Sequence, residues 1–303
     1  MFESTATSPV GVDIRREIIP VVCDGITLDL HVWRPTRPRA AVFYFHGLQS
    51  HSGWMWETGP AFAERGVAFF VLDRRGSGTS PGARGEIPAV ATVLADHRAA
   101  LRAVRELTGD DVPLGLFGHC LGGSFLAALL KSGTLDTAYD AAVFCSAWLG
   151  KLHATLPADR LRALAGDQST EQQDVGLSAA DFTDQDRYRR FIDGDDLAVR
   201  TLTGRSRARL LQLEQIYLSP DAPALPDRVT TAFVSGQADP IIDLDDAHRT
   251  FIQFTGGRGE ISMLPTDRHY LLQTGVRDRL IAWTADFVKA AQPRQYVRAR
   301  QHG

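Results

Sequence analysis

The sequence predicts an α/β fold, in which a mostly parallel sheet is flanked by helices and interrupted by one helical insertion. Short, continuously apolar runs alternate with segments of helical periodicity, a pattern typical of strands that are joined by crossover helices and buried on both faces. The alternation stops over residues 148–220, which are rich in Arg, Asp and Gln. We therefore expect a core of residues 1–147 and 221–292, a helical insertion between them, and a basic tail over 293–303.

The individual elements follow from local patterns. Runs at residues 17–22 and 26–33 flank Asp24-Gly25, and this dipeptide favours a two-residue β-hairpin. Continuous apolar runs predict buried strands at residues 41–45, 67–72, 112–117, 141–145, 228–235 and 260–264. Helical periodicity predicts helices at residues 88–107, 121–131, 245–254 and 276–289. Within the insertion we expect helices and no buried strand, and we expect the tail after Pro293 to fray.

Composition excludes several functional classes. The chain has 303 residues, a net charge of -3 and 44% hydrophobic residues, so it offers no electrostatic basis for binding nucleic acid or anionic lipid. Three cysteines are too few for a disulfide framework. The first 19 residues lack the basic start and apolar core of a signal peptide, and no apolar run approaches the roughly 20 residues of a membrane helix. We expect a cytoplasmic protein without an integral membrane segment.

The segment Gly118-His119-Cys120-Leu121-Gly122 stands between a predicted strand and a predicted helix. Its form is G-x-nucleophile-x-G, which is typical of a sharp strand-to-helix turn that presents a catalytic side chain. Glycine is needed there because a side chain would collide with the neighbouring strand and helix. A thiol at a helix N-terminus has a lowered pKa and ionises more readily. The alternative is a buried cysteine at an ordinary turn between a strand and a helix.

A cysteine nucleophile needs a base, and the base needs an orienting acid. In this type of site the chain order is nucleophile, acid and histidine. Asp239 directly follows a predicted strand, and His269 lies in the loop after the next one, so Cys120, Asp239 and His269 have the expected order. The alternatives are a turn or helix-capping role for Asp239 and a surface-loop position for His269.

Two backbone N–H groups must also stabilise the carbonyl oxygen as it becomes negative. Leu121, which follows the nucleophile, and Leu48, which follows a strand ending at His46-Gly47, are the candidate donors. The two tryptophans near this loop could line a pocket or could simply pack on a helix face. Our candidate substrate-binding residues are His46, Gly47, Trp54, Trp56 and His119.

No cofactor or metal is expected. The histidines at positions 46, 51, 119 and 153 do not form a ligand pattern such as H-E-x-x-H. The glycines between residues 76 and 85 lack the Lys-Ser/Thr pair of a phosphate-binding P-loop. Cys23, in the hairpin turn, and Cys145, at the end of a strand, show no metal-ligand spacing.

Taken together, these motifs resemble an α/β-hydrolase of the monoacylglycerol lipase or lysophospholipase type. The matching stretches are FHGLQSHSGW (45–54), LDRRGSGTSPGARG (72–85), GHCLGG (118–123), SGQADPIID (235–243) and the loop that contains His269. The resemblance implies the α/β-hydrolase fold, with the insertion as a helical cap over the acyl pocket. The chain departs from the family at Cys120, where the family normally has serine.

The resemblance implies acyl transfer. We expect an ester or thioester hydrolase with a Cys120–His269–Asp239 triad and a covalent acyl-Cys120 intermediate, acting on a small acyl substrate that is free or attached to a carrier. Because a thioester intermediate reacts well with amines and thiols, an acyltransferase or cyclase that passes the acyl group to an amine or alcohol is the first alternative. A non-catalytic ligand-binding protein on a hydrolase scaffold is the second. The sequence leaves the oligomeric state open.

Overall fold

The computed structural model describes residues 14–291, so the first 13 residues and the predicted tail at 293–303 lie outside it. Its described strands, numbered along the chain, are β1 (Glu17–Cys23), β2 (Ile26–Trp33), β3 (Ala40–Phe45), β4 (Val67–Leu72), β5 (Leu114–His119), β6 (Ala141–Cys145), β7 (Gln172–Asp174), β8 (Thr201–Thr203), β9 (Thr230–Gly236) and β10 (Glu260–Leu264). Eight of them form one sheet in the order β1-β2-β4-β3-β5-β6-β9-β10. The pairs β1–β2 and β2–β4 are antiparallel and the other pairs of this sheet are parallel. The predicted α/β architecture is therefore confirmed.

Helices cover this sheet and also make up most of the insertion. The described helices are α1 (Thr58–Glu64), α2 (Val90–Thr108), α3 (Leu121–Lys131), α4 (Lys151–Thr155), α5 (Ala158–Ala165), α6 (Ala179–Phe182), α7 (Asp186–Asp193), α8 (Gly204–Leu218), α9 (Leu244–Thr255) and α10 (Arg277–Ala290). Short 3₁₀ turns occur at Ser52–Met55 and Leu271–Gln273. Among residues 14–291, no helix combines the length and the apolar character needed to cross a membrane.

The predicted hairpin is confirmed at β1–β2. Cys23 pairs with Ile26, and the two turn residues between them, Asp24 and Gly25, both have positive φ, at 54° and 73°. A two-residue turn of this kind matches the right-handed twist of its strands. The sequence signal was specific here because the turn chemistry is local.

One predicted strand is shifted in the structure, and a helix and a pair of short strands were not predicted. The strand predicted at residues 112–117 lies at Leu114–His119, because Pro113 has no N–H to donate to a strand ladder and instead only accepts a bond from Ala41. Helix α1 was missed because its Gly59-Pro60 pair is typical of a turn. The insertion also contains the antiparallel pair β7–β8, whose strands have three residues each and carry no apolar pattern in β7.

The parallel strands bring the candidate site together. The central strands β3, β4, β5 and β6 are fully buried, as expected for a sheet covered on both faces. The carboxyl ends of parallel strands share one edge of a sheet, which is where ligands bind in open α/β folds. His46, Cys120, Asp239 and His269 lie in the loops that follow β3, β5, β9 and β10, respectively.

Candidate active site

Cys120 occupies a strained turn between β5 and α3. Its φ is 51° and its ψ is -124°, a conformation that a residue other than glycine rarely adopts and that is typical of a nucleophile held at a sharp strand-to-helix turn. The turn requires glycine at two flanking positions. A Cβ atom at Gly118 would lie 2.7 Å from the Cα of Gly123, and one at Gly122 would overlap the carbonyl oxygen of Phe45. The predicted steric reason for the glycines is therefore confirmed.

The backbone around Cys120 is anchored on both sides. Its N–H donates to the carbonyl of Cys145 at 3.1 Å, and its own carbonyl accepts from Gly123 and Trp148, both at 2.9 Å. These bonds tie the turn to the end of β6 and to the start of the insertion. Backbone strain persists only where the surrounding structure over-determines it, and here three hydrogen bonds do so.

Asp239 and His269 meet as a buried pair. The Nδ1 atom of His269 lies 2.8 Å and 3.0 Å from the two carboxylate oxygens of Asp239, and both side chains are completely buried. Asp239 also accepts the N–H groups of Ile241 and Ile242, each at 2.9 Å. Burial favours a neutral carboxyl group, but the positive charge of His269 and these two N–H groups outweigh it and lower the pKa of Asp239.

Cys120 and His269 shift each other's pKa values. Burial would raise the pKa of the Cys120 thiol, but attraction to His269 and the N–H of Leu121 lower it below its ordinary value. Burial would likewise lower the pKa of His269, but the charges of Cys120 and Asp239 raise it to about 10. The buried Nε2 atom of His269 has no other hydrogen-bond partner within residues 14–291, and both charge and hydrogen bonding between His269 and Cys120 contribute to the two pKa shifts. Hydrogen bonds between catalytic groups are often long without substrate and shorten only when substrate binds.

The loop carrying His269 is held by the insertion and by the residue before the nucleophile. The N–H groups of His269 and Tyr270 donate to the carbonyls of Asp181 and Phe182, at 3.0 Å and 2.9 Å. His119 donates from Nε2 to the carbonyl of His269 at 3.2 Å. Burial and the charge of His269 lower the pKa of His119 to about 3, so His119 is a neutral support under the turn.

Arg74 braces the loop that follows β3, a role that the sequence did not reveal. Its guanidinium donates to the carbonyls of His46 at 2.6 Å and Gly47 at 2.8 Å, and it lies over the ring of Phe125 at 4.8 Å. Burial lowers the pKa of Arg74 to about 9, so the side chain remains cationic at neutral pH. The braced loop is close to the nucleophile, since a Cβ at Gly47 would lie 3.3 Å from the Cβ of Cys120.

A large cavity opens beside Cys120, with a volume of about 780 Å³. Leu48 and Ile241 contribute to its wall from the core. The remaining wall comes from the insertion, with apolar side chains such as Trp148, Leu152 and Leu210 and with several charged ones. A cavity of this size, mostly apolar and next to a reactive group, is typical of a small-molecule site.

Trp54 and Trp56 do not line that cavity. Trp54 packs against Phe182 at 5.7 Å, and its ring N–H donates to Asp195 at 2.7 Å. Trp56 packs against Phe191 at 4.4 Å. Both tryptophans therefore join the core to helices of the insertion, which agrees with the packing alternative. His46 and His119 are also buried outside the cavity wall, while Leu48 and Cys120 are part of it.

Cys23 and Cys145, the other two cysteines, lie outside the proposed nucleophilic turn. Within residues 14–291, no group of three or more His, Cys, Asp or Glu side chains is arranged to hold a metal ion. Cys145 is completely buried, and burial together with the charge of Asp239 raises its pKa well above the ordinary value. Asp73 is used structurally, because its carboxylate accepts from Ser52 and Thr79 and pairs with His31 at 3.2 Å.

Comparison with known proteins places the chain in a family. A family model described as serine aminopeptidase, S33 (Hydrolase_4) matches residues 36–274. The chain belongs to this family. The match covers strands β3 to β10, the strained turn, both residues of the buried His–Asp pair and the insertion. It also includes Cys120.

Members and structural neighbours of the family extend the comparison. The chain is 28% identical over 163 residues to a monoacylglycerol lipase of Mycolicibacterium smegmatis, covering 48% of this chain and 58% of the lipase. It is 37% identical over 101 residues to an uncharacterized abhydrolase domain-containing protein of Dictyostelium discoideum, covering 33% of this chain and 10% of that protein. The match thus spans just over half of the length of the lipase and a tenth of the length of the Dictyostelium protein. A soluble variant of monoglyceride lipase from Saccharomyces cerevisiae superposes with a TM-score of 0.76 at 18% identity, covering 93% of this chain and 97% of the lipase. This confirms the α/β-hydrolase fold.

Proposed function

We propose that this protein is an ester or thioester hydrolase that works through a covalent acyl-Cys120 intermediate. The Cys120 thiolate attacks the acyl carbonyl carbon, and the carbonyl oxygen becomes an oxyanion. When the oxyanion collapses, the leaving alkoxide or thiolate takes a proton from His269. His269 then removes a proton from water, which attacks the thioester, and the acid and the Cys120 thiolate are released. Asp239 orients His269 and stabilises its positive charge.

One observation carries this proposal. A cysteine at a positive φ of 51° lies next to a histidine whose other ring nitrogen bonds to a buried carboxylate at 2.8 Å. A structural cysteine would not need the strained turn, and burial would raise its pKa, as it does for Cys145. At Cys120 the pKa is lowered despite complete burial. Groups with perturbed pKa values that lie together beside a cavity are typical of active sites.

The N–H groups of Leu48 and Leu121 are our proposed donors to the oxyanion. Leu121 begins helix α3, so its N–H has no preceding turn of helix to bond to, and the helix dipole favours negative charge there. Leu48 follows the two carbonyls that Arg74 holds. The guanidinium therefore positions this loop, and its charge lies close enough to Cys120 to favour the thiolate.

We further propose that residues 148–220 act as a cap over the acyl group. The insertion supplies most of the cavity wall and two of the carbonyls that hold the His269 loop. The names of the Mycolicibacterium and Saccharomyces relatives support a lipid-like ester as substrate. The cysteine supports thioesters as well, because a thiolate attacks carbonyls readily and leaves readily.

Intact-mass measurement after mixing with p-nitrophenyl esters and acyl thioesters of several chain lengths tests the proposal. We expect an acyl adduct on Cys120 that decays to free acid. If an added amine or alcohol diverts the product without slowing decay of the adduct, the acyltransferase alternative is favoured. The absence of an adduct with every donor would overturn the mechanism and leave the ligand-binding alternative.

Arg74→Met is expected to lower kcat about 10- to 100-fold with little change in KM, because the loop carrying the Leu48 N–H loses its brace. Direct removal of one oxyanion donor costs about 100- to 1,000-fold, so a positioning residue should cost less. Arg74→Lys, which keeps the charge, should recover part of the loss. Arg84→Met is the matched control, since Arg84 also donates to two loop carbonyls, those of Leu197 and Gly78. An equal fall of kcat in both methionine variants would contradict the assigned role.

A further inference from the structure

The cavity beside Cys120 carries an excess of positive charge. Three cations line it, one from each of three helices: Lys151 of α4, Arg160 of α5 and Arg207 of α8. One acid, Asp167, is also part of the wall. Its carboxylate accepts the N–H of Ser169 at 2.8 Å. The rest of the wall is mainly apolar, so these charges are the polar features that could distinguish one ligand from another.

These cations lack carboxylate partners in the part of the chain that the structure describes. Within residues 14–291, none of the three lies in an ion pair, whereas Arg205 and Arg209 on the same helix as Arg207 both pair with Glu86, at 3.0 Å and 3.8 Å. The hydrogen bonds that Lys151 and Arg207 do make go to backbone carbonyls, those of Ile241 at 2.7 Å and Asp174 at 3.1 Å.

Among the described residues, Lys151 and Arg207 therefore keep N–H groups that donate no hydrogen bond. An ammonium has three N–H groups and a guanidinium five, so one bond to a carbonyl leaves most of them free. Cations with free donors bind carboxylate or phosphate oxygens through charge-assisted hydrogen bonds. A neutral acyl ester would offer none of the three cations a charged partner.

We propose that this cavity takes acyl donors that carry an anionic group, a carboxylate or a phosphate, and that Lys151, Arg160 and Arg207 bind it. The inference rests on the proposed function for the position of the acyl group at Cys120. The apolar wall holds the acyl chain, and the cations select a charged substrate over a neutral one of the same size. The anionic group belongs to the leaving group or to the far end of the acyl chain, and the test separates the two.

Binding of an unreactive ligand pair tests the site without any need for turnover. The probes are the S-octyl thioether of 3-mercaptopropionate, which is anionic, and its neutral N-methylamide. By calorimetry on the wild-type protein we expect the anionic probe to bind about 10-fold more tightly, since hydrogen bonds between charged groups are stronger than neutral ones. Added salt should reduce this preference. In the double variant Arg160→Gln/Arg207→Gln it should fall to about twofold or less.

Arg205→Gln is the matched control, because it removes a charge from α8 whose partner is Glu86. It should keep the wild-type preference. Lys151 is left intact in these variants because its bond to Ile241 also supports the loop that carries Asp239. Equal affinity for the two probes in the wild type, or a preference unchanged in the double variant, would overturn the inference.

Turnover then locates the anionic group. The octanoyl thioester of 3-mercaptopropionate carries the charge on the leaving group, and the monothioester of octanedioate with a neutral thiol carries it on the acyl chain. We expect one of the two to exceed the neutral octanoyl thioester about 10-fold in kcat/KM, mainly through KM. If no donor is turned over, the proposed function fails, and the binding ratio alone decides whether the anion site exists.

Discussion

Cys120→Ala should abolish the acyl adduct and lower ester and thioester turnover by at least about 1,000-fold. The alanine leaves the cavity, the Leu48 and Leu121 N–H groups and the His269–Asp239 pair in place, so binding and weak polarisation of the carbonyl remain. In hydrolases with a triad, such a remnant still exceeds the uncatalysed reaction while most of the rate is lost. Intact-mass spectra and initial rates on one p-nitrophenyl ester and one thioester measure both effects.

Cys120→Ser tests whether the thiol itself is needed or whether any nucleophile at this position suffices. A serine hydroxyl does not ionise at neutral pH, so the charge attraction to His269 is lost and His269 must act as a general base during the attack. We expect an oxyester adduct that forms about 100- to 10,000-fold more slowly than the thioester of the wild type. Cys23→Ser, in the half-buried hairpin turn, should acylate like the wild type. Full activity of Cys120→Ala, or an adduct located on Cys23 or Cys145, would contradict the proposed nucleophile.

Asp239→Asn should lower kcat/KM about 100- to 10,000-fold and shift the alkaline limb of its pH profile to lower pH. Acylation needs the Cys120 thiolate and the His269 imidazolium together. Activity should therefore rise with pH as Cys120 ionises and fall as His269 loses its proton, which in the wild type occurs near its pKa of about 10. The charge of Asp239 is one of the attractions that raise this pKa, so its removal lowers the pKa and narrows the active range.

Asp243→Asn, four residues from Asp239, is the matched control. Asp243 caps helix α9 by accepting the N–H of Asp246 at 3.0 Å, and asparagine is an equally good cap. Asp243→Asn removes the same charge from the same loop, and we expect neither the rate nor the alkaline limb to change. A profile of kcat/KM against pH for the three proteins makes the comparison. An unshifted limb in Asp239→Asn would show that His269 does not depend on this carboxylate.

Much of the candidate site could be predicted because its signals are local. Glycines at 118 and 122 are demanded by contacts within a few residues of the turn and by the adjoining strand, so the pattern marks Cys120. Asp239 and His269 could be placed because each follows a recognisable strand, and parallel strands bring their carboxyl ends to one edge. The structure brings the two side chains within 2.8 Å of each other.

The contacts of other residues near the site could not be predicted from the sequence. Arg74 and Arg75 are neighbours of the same type, yet Arg74 turns inward to the carbonyls of His46 and Gly47 while Arg75 pairs with Asp96 at 2.7 Å. The direction of each side chain depends on which partners the fold places around it. Its position beside the loop after β3 made Trp54 a candidate for the pocket wall. In the structure its ring N–H donates to Asp195, which lies 141 residues further along the chain.

The sequence by itself determined the α/β class, the mostly parallel character of the sheet and the identity of the residues at the turn and in the loops of the site. Those features depend on periodicity and on steric constraints within short segments. The tertiary structure alone decided the attraction to His269 that lowers the pKa of Cys120, the contacts of Arg74 and the three cations of the cavity wall. These depend on burial and on charges contributed by distant segments, and the effect of a charge is set by the distances and solvent access that only the packed chain defines.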